Sequence, residues 1–177
     1  NYINMPVDKK FRSGFVAIIG RPNVGKSTVL NYLVGEKVAI VTEKPETTRD
    51  KIRGILTRPD AQIIFVDTPG IHKPINLLGK QITRAAKDSL SEVDLIVFVL
   101  DVAKGITQED RLIFGLLKQA KKPAIALINK VDKVSKSLAL PMIEEASRLY
   151  DFKEIIPTSA TSGDNMDVLL KKTIEYL

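Results

Sequence analysis

Gly20-Arg21-Pro22-Asn23-Val24-Gly25-Lys26-Ser27 sets two glycines, a lysine and a hydroxyl at the spacing G-x-x-x-x-G-K-[ST]. Glycines at those places let the backbone curl until successive N–H groups point inward at an anion. A helix starting at the lysine adds unpaired N–H donors and the positive end of its dipole. In such a loop Lys26 reaches the β- and γ-phosphates of a nucleotide, and the Ser27 hydroxyl holds Mg²⁺. The pattern carries this meaning only between a strand and a helix. Phe15 to Ile19 is a continuous apolar run of strand length, and Val29, Leu30, Leu33 and Val34 form one apolar helical face. A chance match in an unrelated strand–turn–helix is the bland alternative, and this context disfavours it.

Two further constellations extend the chemistry. Ile63-Ile64-Phe65-Val66 runs into Asp67-Thr68-Pro69-Gly70. A carboxylate closing an apolar strand, downstream of a phosphate loop, suits a group acting on Mg²⁺, and Gly70 offers a backbone N–H to a γ-phosphate. For an isolated strand-terminal aspartate, a cap or turn role would be favoured; the loop and the following x-x-Gly shift that balance. The strand Ala124 to Ile128 ends in Asn129-Lys130-Val131-Asp132, of the form N-K-x-D. A carboxylate at Asp132 accepts from N1–H and the 2-amino group of guanine. Adenine has no donor at either place, and an unpaired buried carboxylate rejects it. Lys130 can lay its stem along the base, Asn129 can brace neighbouring loops, and the Ala160 N–H can donate to guanine O6. Alone, N-K-x-D is a weak pattern; after a strand and downstream of the other two it is strong.

The elements that must position these residues follow from periodicity. A strand from Gly14 to Ile19, the loop, and a helix to about Gly35 come first. Val38 to Val41 reads as a short extended piece, and Thr42 to Asp50 as an exposed, mobile loop. Lys51 to Arg58 and Gln62 to Val66 are strands joined by too few residues for a crossover, so they form an antiparallel hairpin. Leu78, Ile82, Ala85, Ala86 and Leu90 make a helical stripe, and Leu95 to Leu100 an apolar strand. Thr107-Gln108-Glu109-Asp110 reads as a capped helix start, leading Leu112, Ile113, Leu116, Leu117 and Ala120 along one face. Met142, Ile143, Ala146 and Leu149 or Tyr150 face inward from a further helix. Ile155-Ile156 opens a last strand ending in Thr158-Ser159-Ala160-Thr161. Met166, Leu169, Leu170, Ile174 and Leu177 face the core from the final helix. Strand and helix alternate, which implies an α/β, three-layer fold with a mostly parallel six-stranded sheet, one antiparallel strand and helices on both faces. Ligands of such sheets bind beyond the carboxyl ends of the strands. The glycine loop, Asp67, Asn129 and Ser159 all follow strand ends, so they should converge on one rim.

The chain has 177 residues, 44% apolar and 27% charged, which suits one globular domain. It has no cysteine, so disulfides and thiolate zinc sites are excluded. No apolar run approaches a membrane span, and the N-terminus has no signal-peptide core, so the default location is cytoplasmic. The net charge of +6 is a mild pointer to an anionic partner such as RNA, set against an ordinary solvated surface. Residues 1–13 read as a flexible leader and 14–177 as the domain.

On these motifs the chain resembles the translation-factor-related P-loop GTPases and, among them, the Era family. The carrying stretches are Gly20 to Thr28, Pro45-Glu46-Thr47-Thr48-Arg49, Asp67-Thr68-Pro69-Gly70-Ile71-His72-Lys73-Pro74, Asn129 to Asp132 and Ser159-Ala160. The Asp67 to Pro74 stretch is the most specific. Two departures occur: Glu46 stands where the family usually has glutamine, and Asp50 after Thr48-Arg49 is similar to the related Der and MnmE GTPases. The resemblance implies a GTP-hydrolysing switch. Its phosphate site would be Gly20, Arg21, Pro22, Asn23, Val24, Gly25, Lys26, Ser27, Thr28, Asp67, Thr68, Pro69, Gly70 and Ile71. Its guanine site would be Asn129, Lys130, Asp132, Ser159 and Ala160. Mg²⁺ would be held by Ser27, Asp67 and Thr48, with Thr47 as runner-up, and catalysis would rest on Lys26, Asn23, Thr48 and Gly70. Switch II would run from Gly70 to about Arg84, with His72, the only histidine, as a surface residue of it.

Ile71 stands where Ras-like GTPases place a water-orienting glutamine, so another group must position the water; the resemblance implies K⁺ held by Asn23, with a loop-shaping role for Asn23 as the alternative. The family implies a role in small-subunit ribosome assembly, with ribosomal RNA and the pre-ribosomal particle as partners and a peripheral association with the inner membrane. RNA is bound there mainly through a KH domain. No G-x-x-G loop of a KH domain occurs before Leu177, which leads to the expectation of a GTPase domain alone, truncated or naturally short. A Der- or MnmE-like domain acting in ribosome or tRNA maturation is the nearest alternative. A P-loop kinase would need an arginine-bearing lid and lacks N-K-x-D with a following Ser-Ala. An RNA-binding module using nucleotide only for stability would show RNA affinity and no turnover.

Overall fold

A computed structural model describes residues 10–35, 52–66 and 82–177. The strands are β1 (Arg12–Ile19), β2 (Ile52–Thr57), β3 (Ala61–Val66), β4 (Leu95–Asp101), β5 (Ala124–Asn129) and β6 (Glu154–Pro157). The helices are α1 (Lys26–Val34), α2 (Ile82–Ser91), α3 (Gln108–Ala120), α4 (Lys136–Leu149) and α5 (Met166–Glu175), with a 3-10 turn at Val131–Lys133. The strands form one sheet in the order β2-β3-β1-β4-β5-β6. Only the β2–β3 pair is antiparallel.

β4 explains the layering. All its residues are buried. Ile96, Phe98 and Leu100 enter one core with Ala86, Leu90, Ile113, Phe114, Leu117, Met142 and Ala146 from α2, α3 and α4. Leu95, Val97 and Val99 enter the other core with Val29, Leu33, Met166 and Leu169 from α1 and α5. Successive side chains of a strand leave opposite faces, so a strand apolar at every position must be covered on both. Phe98 meets Phe114 edge-on at 5.0 Å, and Phe114 meets Phe152 at 5.8 Å, which seats α3 on the sheet.

The capped start expected for α3 is present as a reciprocal box. Thr107 Oγ1 accepts from the Asp110 N–H, and Asp110 accepts from the Thr107 N–H. Three details differ from the sequence reading. β1 begins at Arg12, not Gly14, because Arg12 and Ser13 pair with Ala61 and Gln62 of β3. β6 ends at Pro157; the Thr158 N–H still donates to Ile128, then Ser159 bridges back to Asp164. Leu112 is 41% exposed, and Phe114 takes its place in the core. Leu112 is displaced around the helix from the stripe of Ile113, Phe114 and Leu117, so short-range apolarity misassigned it. The pieces expected at Val38 to Val41, Thr42 to Asp50 and Leu78 lie outside the described residues. No helix among the described residues is long and apolar enough to cross a membrane.

Candidate functional site

β1 delivers the chain to Gly20 between β3 and β4, at the centre of the sheet. The close approach of strand and loop there requires glycine. A Cβ on Gly20 would stand 2.6 Å from the Val99 carbonyl oxygen. Gly25 has φ 107°, and a Cβ on it would run into the Asn129 side-chain amide. Asn23 sits between them in the left-handed region at φ 66°, which asparagine tolerates better than most residues. The curl closes with Lys26 Nζ donating to the carbonyls of Gly20 at 2.6 Å and Arg21 at 2.9 Å. Val24 is fully buried in the core beneath, which anchors the loop while its outer side stays open.

α1 begins at Lys26 with no side-chain cap on Gly25, and Ser27 and Thr28 are exposed in its first turn. Uncapped N–H groups and a helix dipole therefore face the loop. A cavity of about 140 Å³ borders Lys26 and Ser27, lined also by Arg53, Phe65 and Val66. Val66, the last residue of β3, lines this cavity together with Ser27.

The N-K-x-D segment leaves β5. Asn129 is 2% exposed, and both ends of its amide are used. Nδ2 donates to the Val24 carbonyl at 2.9 Å, and Oδ1 accepts from the Ala160 N–H at 3.1 Å. The bracing role expected of Asn129 has this physical form: one buried side chain joins the phosphate loop to the segment after β6. The Ala160 N–H, expected to meet guanine O6, is engaged by Asn129 instead.

Lys130 takes a left-handed conformation at φ 67°, which turns the chain into the 3-10 turn carrying Asp132. Its Nζ donates to the Asn23 carbonyl at 2.6 Å and to Asp101 Oδ2 at 2.9 Å, stretching the stem across the rim. The Val131 N–H donates to Thr158 at 3.1 Å, which ties that turn to the end of β6. Asp132 is exposed. Ser159 is fully buried; its Oγ accepts from the Ser162 N–H at 3.2 Å and shapes the turn beside Ala160. A larger groove, about 580 Å³, runs along α4 and touches Asp132 alone of these residues. It is not where they converge.

The rim thus unites Gly20 to Thr28, Asn129, Lys130, Asp132, Ser159 and Ala160. Asp67, Thr68, Pro69, Gly70, Ile71, Thr47, Thr48 and His72 lie outside the described residues. Asp101 was missed. It closes β4, pairs with Asn129 in the ladder, is 4% exposed and also accepts from the Ala103 N–H at 2.9 Å. Its signal was available: a carboxylate ending a wholly apolar strand, as at Asp67. Asp110 was read only as part of a helix start, yet its Oδ2 also lies 3.4 Å from Arg21 Nε.

A parallel sheet carrying a glycine loop at its central strand, with N-K-x-D bolted to that loop by its asparagine, defines a P-loop GTPase domain. The family model described as 50S ribosome-binding GTPase matches residues 15–130, and the chain belongs to that family. Within it the resemblance to Era is borne out. The chain is 47% identical over 167 residues to GTPase Era of Ruminiclostridium cellulolyticum, covering 94% of this chain and 56% of that protein. It is 49% identical to GTPase Era of Clostridium novyi, covering 94% and 57%. A crystal structure of Era in complex with MgGDPNP and a segment of 16S ribosomal RNA superposes with a TM-score of 0.76 at 43% identity, over 94% of this chain and 57% of that one. Aquifex aeolicus Era bound to GDP and aluminium fluoride gives 0.74 at 43%, over 93% and 57%. The elongation factor SelB of Methanococcus maripaludis, at 0.68 and 22% over 94% of this chain and 34% of that one, shares the fold. The chain spans little more than half the length of its Era relatives.

Proposed function

We propose that this domain binds GTP and GDP with Mg²⁺, hydrolyses GTP slowly, and serves as the switch of an Era-type factor in assembly of the small ribosomal subunit. The observation that carries the reading is Asn129, whose amide spans Val24 and Ala160. A kinase loop has no need of such a bolt, whereas a guanine-specific switch needs base and phosphates held by one rigid rim.

The residues then divide the work. Backbone N–H groups from Gly20 to Thr28 cradle the phosphates, and Lys26 exchanges its loop carbonyls for phosphate oxygens. Asp132 selects guanine, and Lys130, held by Asp101 and Asn23, flanks it. Ser27, Asp67 and Thr48 are the proposed Mg²⁺ ligands. The exposure of Ser27 in the first helical turn beside Lys26, next to the end of β3, fits a cation bound by few protein groups plus substrate oxygens. When bound, Mg²⁺ neutralises charge developing between the β- and γ-phosphates. K⁺ is the proposed second cation, with Asn23 as its ligand; the exposure of Asn23 on the loop's outer side supports this.

The small-subunit assignment rests on similarity to Era, one of whose structures holds 16S ribosomal RNA. The description of the matched family names the 50S subunit, whereas the Era structure holds a segment of 16S ribosomal RNA. RNA recognition is assigned mainly to a KH domain of the whole protein, and the cytoplasm is the proposed location. The deciding experiment is nucleotide titration and turnover with GTP and ATP. Guanine-selective binding with slow release of phosphate is expected; equal binding of ATP and GTP would reject the reading.

A further inference from the structure

Arg21 fills the second place of the phosphate loop, and its guanidinium is directed at the start of α3. Nε lies 3.4 Å from Asp110 Oδ2. The Arg21 side chain is 14% exposed and that of Asp110 0%, so both charges are withdrawn from water. The same Oδ2 accepts from Thr107 N at 2.9 Å and Thr107 Oγ1 at 3.0 Å. One carboxylate oxygen thus closes the cap of α3 and grips the loop. Arg21 Nη2 and Asp110 Oδ1 are buried without hydrogen-bond partners.

Such a pair is a poor device for stability. Buried ion pairs repay their desolvation only when every polar atom is satisfied, and an apolar pair of similar volume does as well or better. It is a good device for position. A planar guanidinium fixes direction as well as distance to a carboxylate, so the Nε bond orients Arg21 against α3. Arg21 is also the residue whose carbonyl accepts from Lys26 Nζ at 2.9 Å. The side chain of Arg21 therefore fixes one end of a residue whose main chain holds the phosphate-reaching lysine.

We propose that Arg21 and Asp110 are a positioning pair that sets the curl of the phosphate loop against the N-terminus of α3, and so sets affinity for the nucleotide's β-phosphate. The inference rests on the reading of this loop as a nucleotide site.

The test separates position from stability. Arg21→Met, Asp110→Asn and the double variant are compared with wild type for melting temperature without nucleotide and for GDP affinity of the folded protein. Asparagine keeps an oxygen for the Thr107 N–H. Each single variant strands one buried charge and should melt lower; the double variant should recover most of that loss. Its GDP affinity should nevertheless stay about tenfold or more below wild type, the scale of one charge-assisted contact. Recovery of affinity together with stability overturns the inference, because the pair is then only structural. Should the double variant fail to fold, Arg21→Lys decides. It keeps the charge without the fork, so affinity should fall, and an affinity equal to wild type overturns the inference. Absence of GDP binding by wild type would reject the nucleotide site itself instead.

Discussion

Asn129 donates to the carbonyl of Val24 across 2.9 Å of buried space, joining residues 105 positions apart in the chain. With the Ala160 N–H on its other end, this amide joins the phosphate loop to the segment after β6. Asn129→Ala strands an acceptor on Val24 and a donor on Ala160, both in buried surroundings. Each unsatisfied group costs about 1–3 kcal/mol. Denaturant unfolding should show a loss of about 2–6 kcal/mol for the two groups together, and GDP affinity should fall with it. Unchanged stability would mean that the two segments are held together by something else.

Asp132→Asn tests base reading. The carboxylate is exposed at the 3-10 turn, so the fold does not depend on it and the melting temperature should stay native. GTP affinity should drop by the worth of a charged hydrogen bond, about 1.5–3 kcal/mol. Xanthine nucleotides, whose 2-oxo group suits an amide donor, should gain. Competition binding of GTP against XTP measures both, and a variant that still prefers GTP would remove Asp132 from the base site.

Much of this site was legible because its parts are short patterns with fixed mechanics. A glycine loop needs a strand before it and a helix after it, and the apolar runs around Gly20 and Lys26 supply them. The sheet was legible because an all-apolar strand such as β4 has to be buried on both faces. The Asp101–Lys130 and Arg21–Asp110 contacts were not, because each joins residues far apart in sequence and depends on which elements are neighbours. Only the β4–β5 pairing brings Asp101 to Asn129 and leaves its carboxylate under Lys130. Leu112 failed for a simpler reason: an apolar residue next to a helical stripe looks like part of it until Phe114 is counted.

Lys26→Ala should abolish tight triphosphate binding without unfolding the domain. Nζ contacts loop carbonyls, not the apolar core, so circular dichroism should remain native. Loss of a charged contact to phosphate predicts a fall of about 1.5–3 kcal/mol or more in GTP binding. A variant that hydrolyses GTP at the wild-type rate would show that another group meets the phosphates.

Alkaline pH should weaken the fold through three groups whose pKa is raised. Burial, then the charge of Asp151, raises Tyr150, whose hydroxyl donates to the Lys122 carbonyl at 2.9 Å. A hydrogen bond to Glu154 is the main cause for Tyr176, and bonds to Glu175 and then Glu154 for Lys172. A raised value means that the folded chain keeps a proton the unfolded chain has already released. The stabilisation is complete below the ordinary tyrosine and lysine values and is lost as pH rises through the folded ones. Melting temperature should therefore be level near neutrality and decline above about pH 10. Glu154→Gln removes a partner of both Tyr176 and Lys172, so its alkaline decline should be shallower. An equally steep decline would assign the effect to other groups.

GTP turnover should be slow and faster in potassium than in sodium. Ile71 follows Gly70 where a glutamine orients the attacking water in Ras-like GTPases, and its side chain cannot hydrogen-bond water. Charge developing on the β–γ bridge must then be met otherwise. The Arg21 guanidinium is committed to Asp110 at the buried start of α3, which removes it as an arginine finger for a partner molecule. Asn23 remains: it is exposed on the loop, while its main-chain oxygen already holds Lys130. Its side-chain amide oxygen is a suitable ligand for a weakly hydrated cation lying against the phosphates. A purely conformational role for Asn23, in the left-handed region at φ 66°, makes a different prediction. Asn23→Gly would keep the loop shape and the rate if shape alone mattered. Turnover is measured in matched potassium and sodium buffers for wild type, Asn23→Ala and Asn23→Gly. The cation mechanism requires a potassium response in wild type that both variants lose; equal wild-type rates in the two salts, or a response that survives in Asn23→Gly, would sink it.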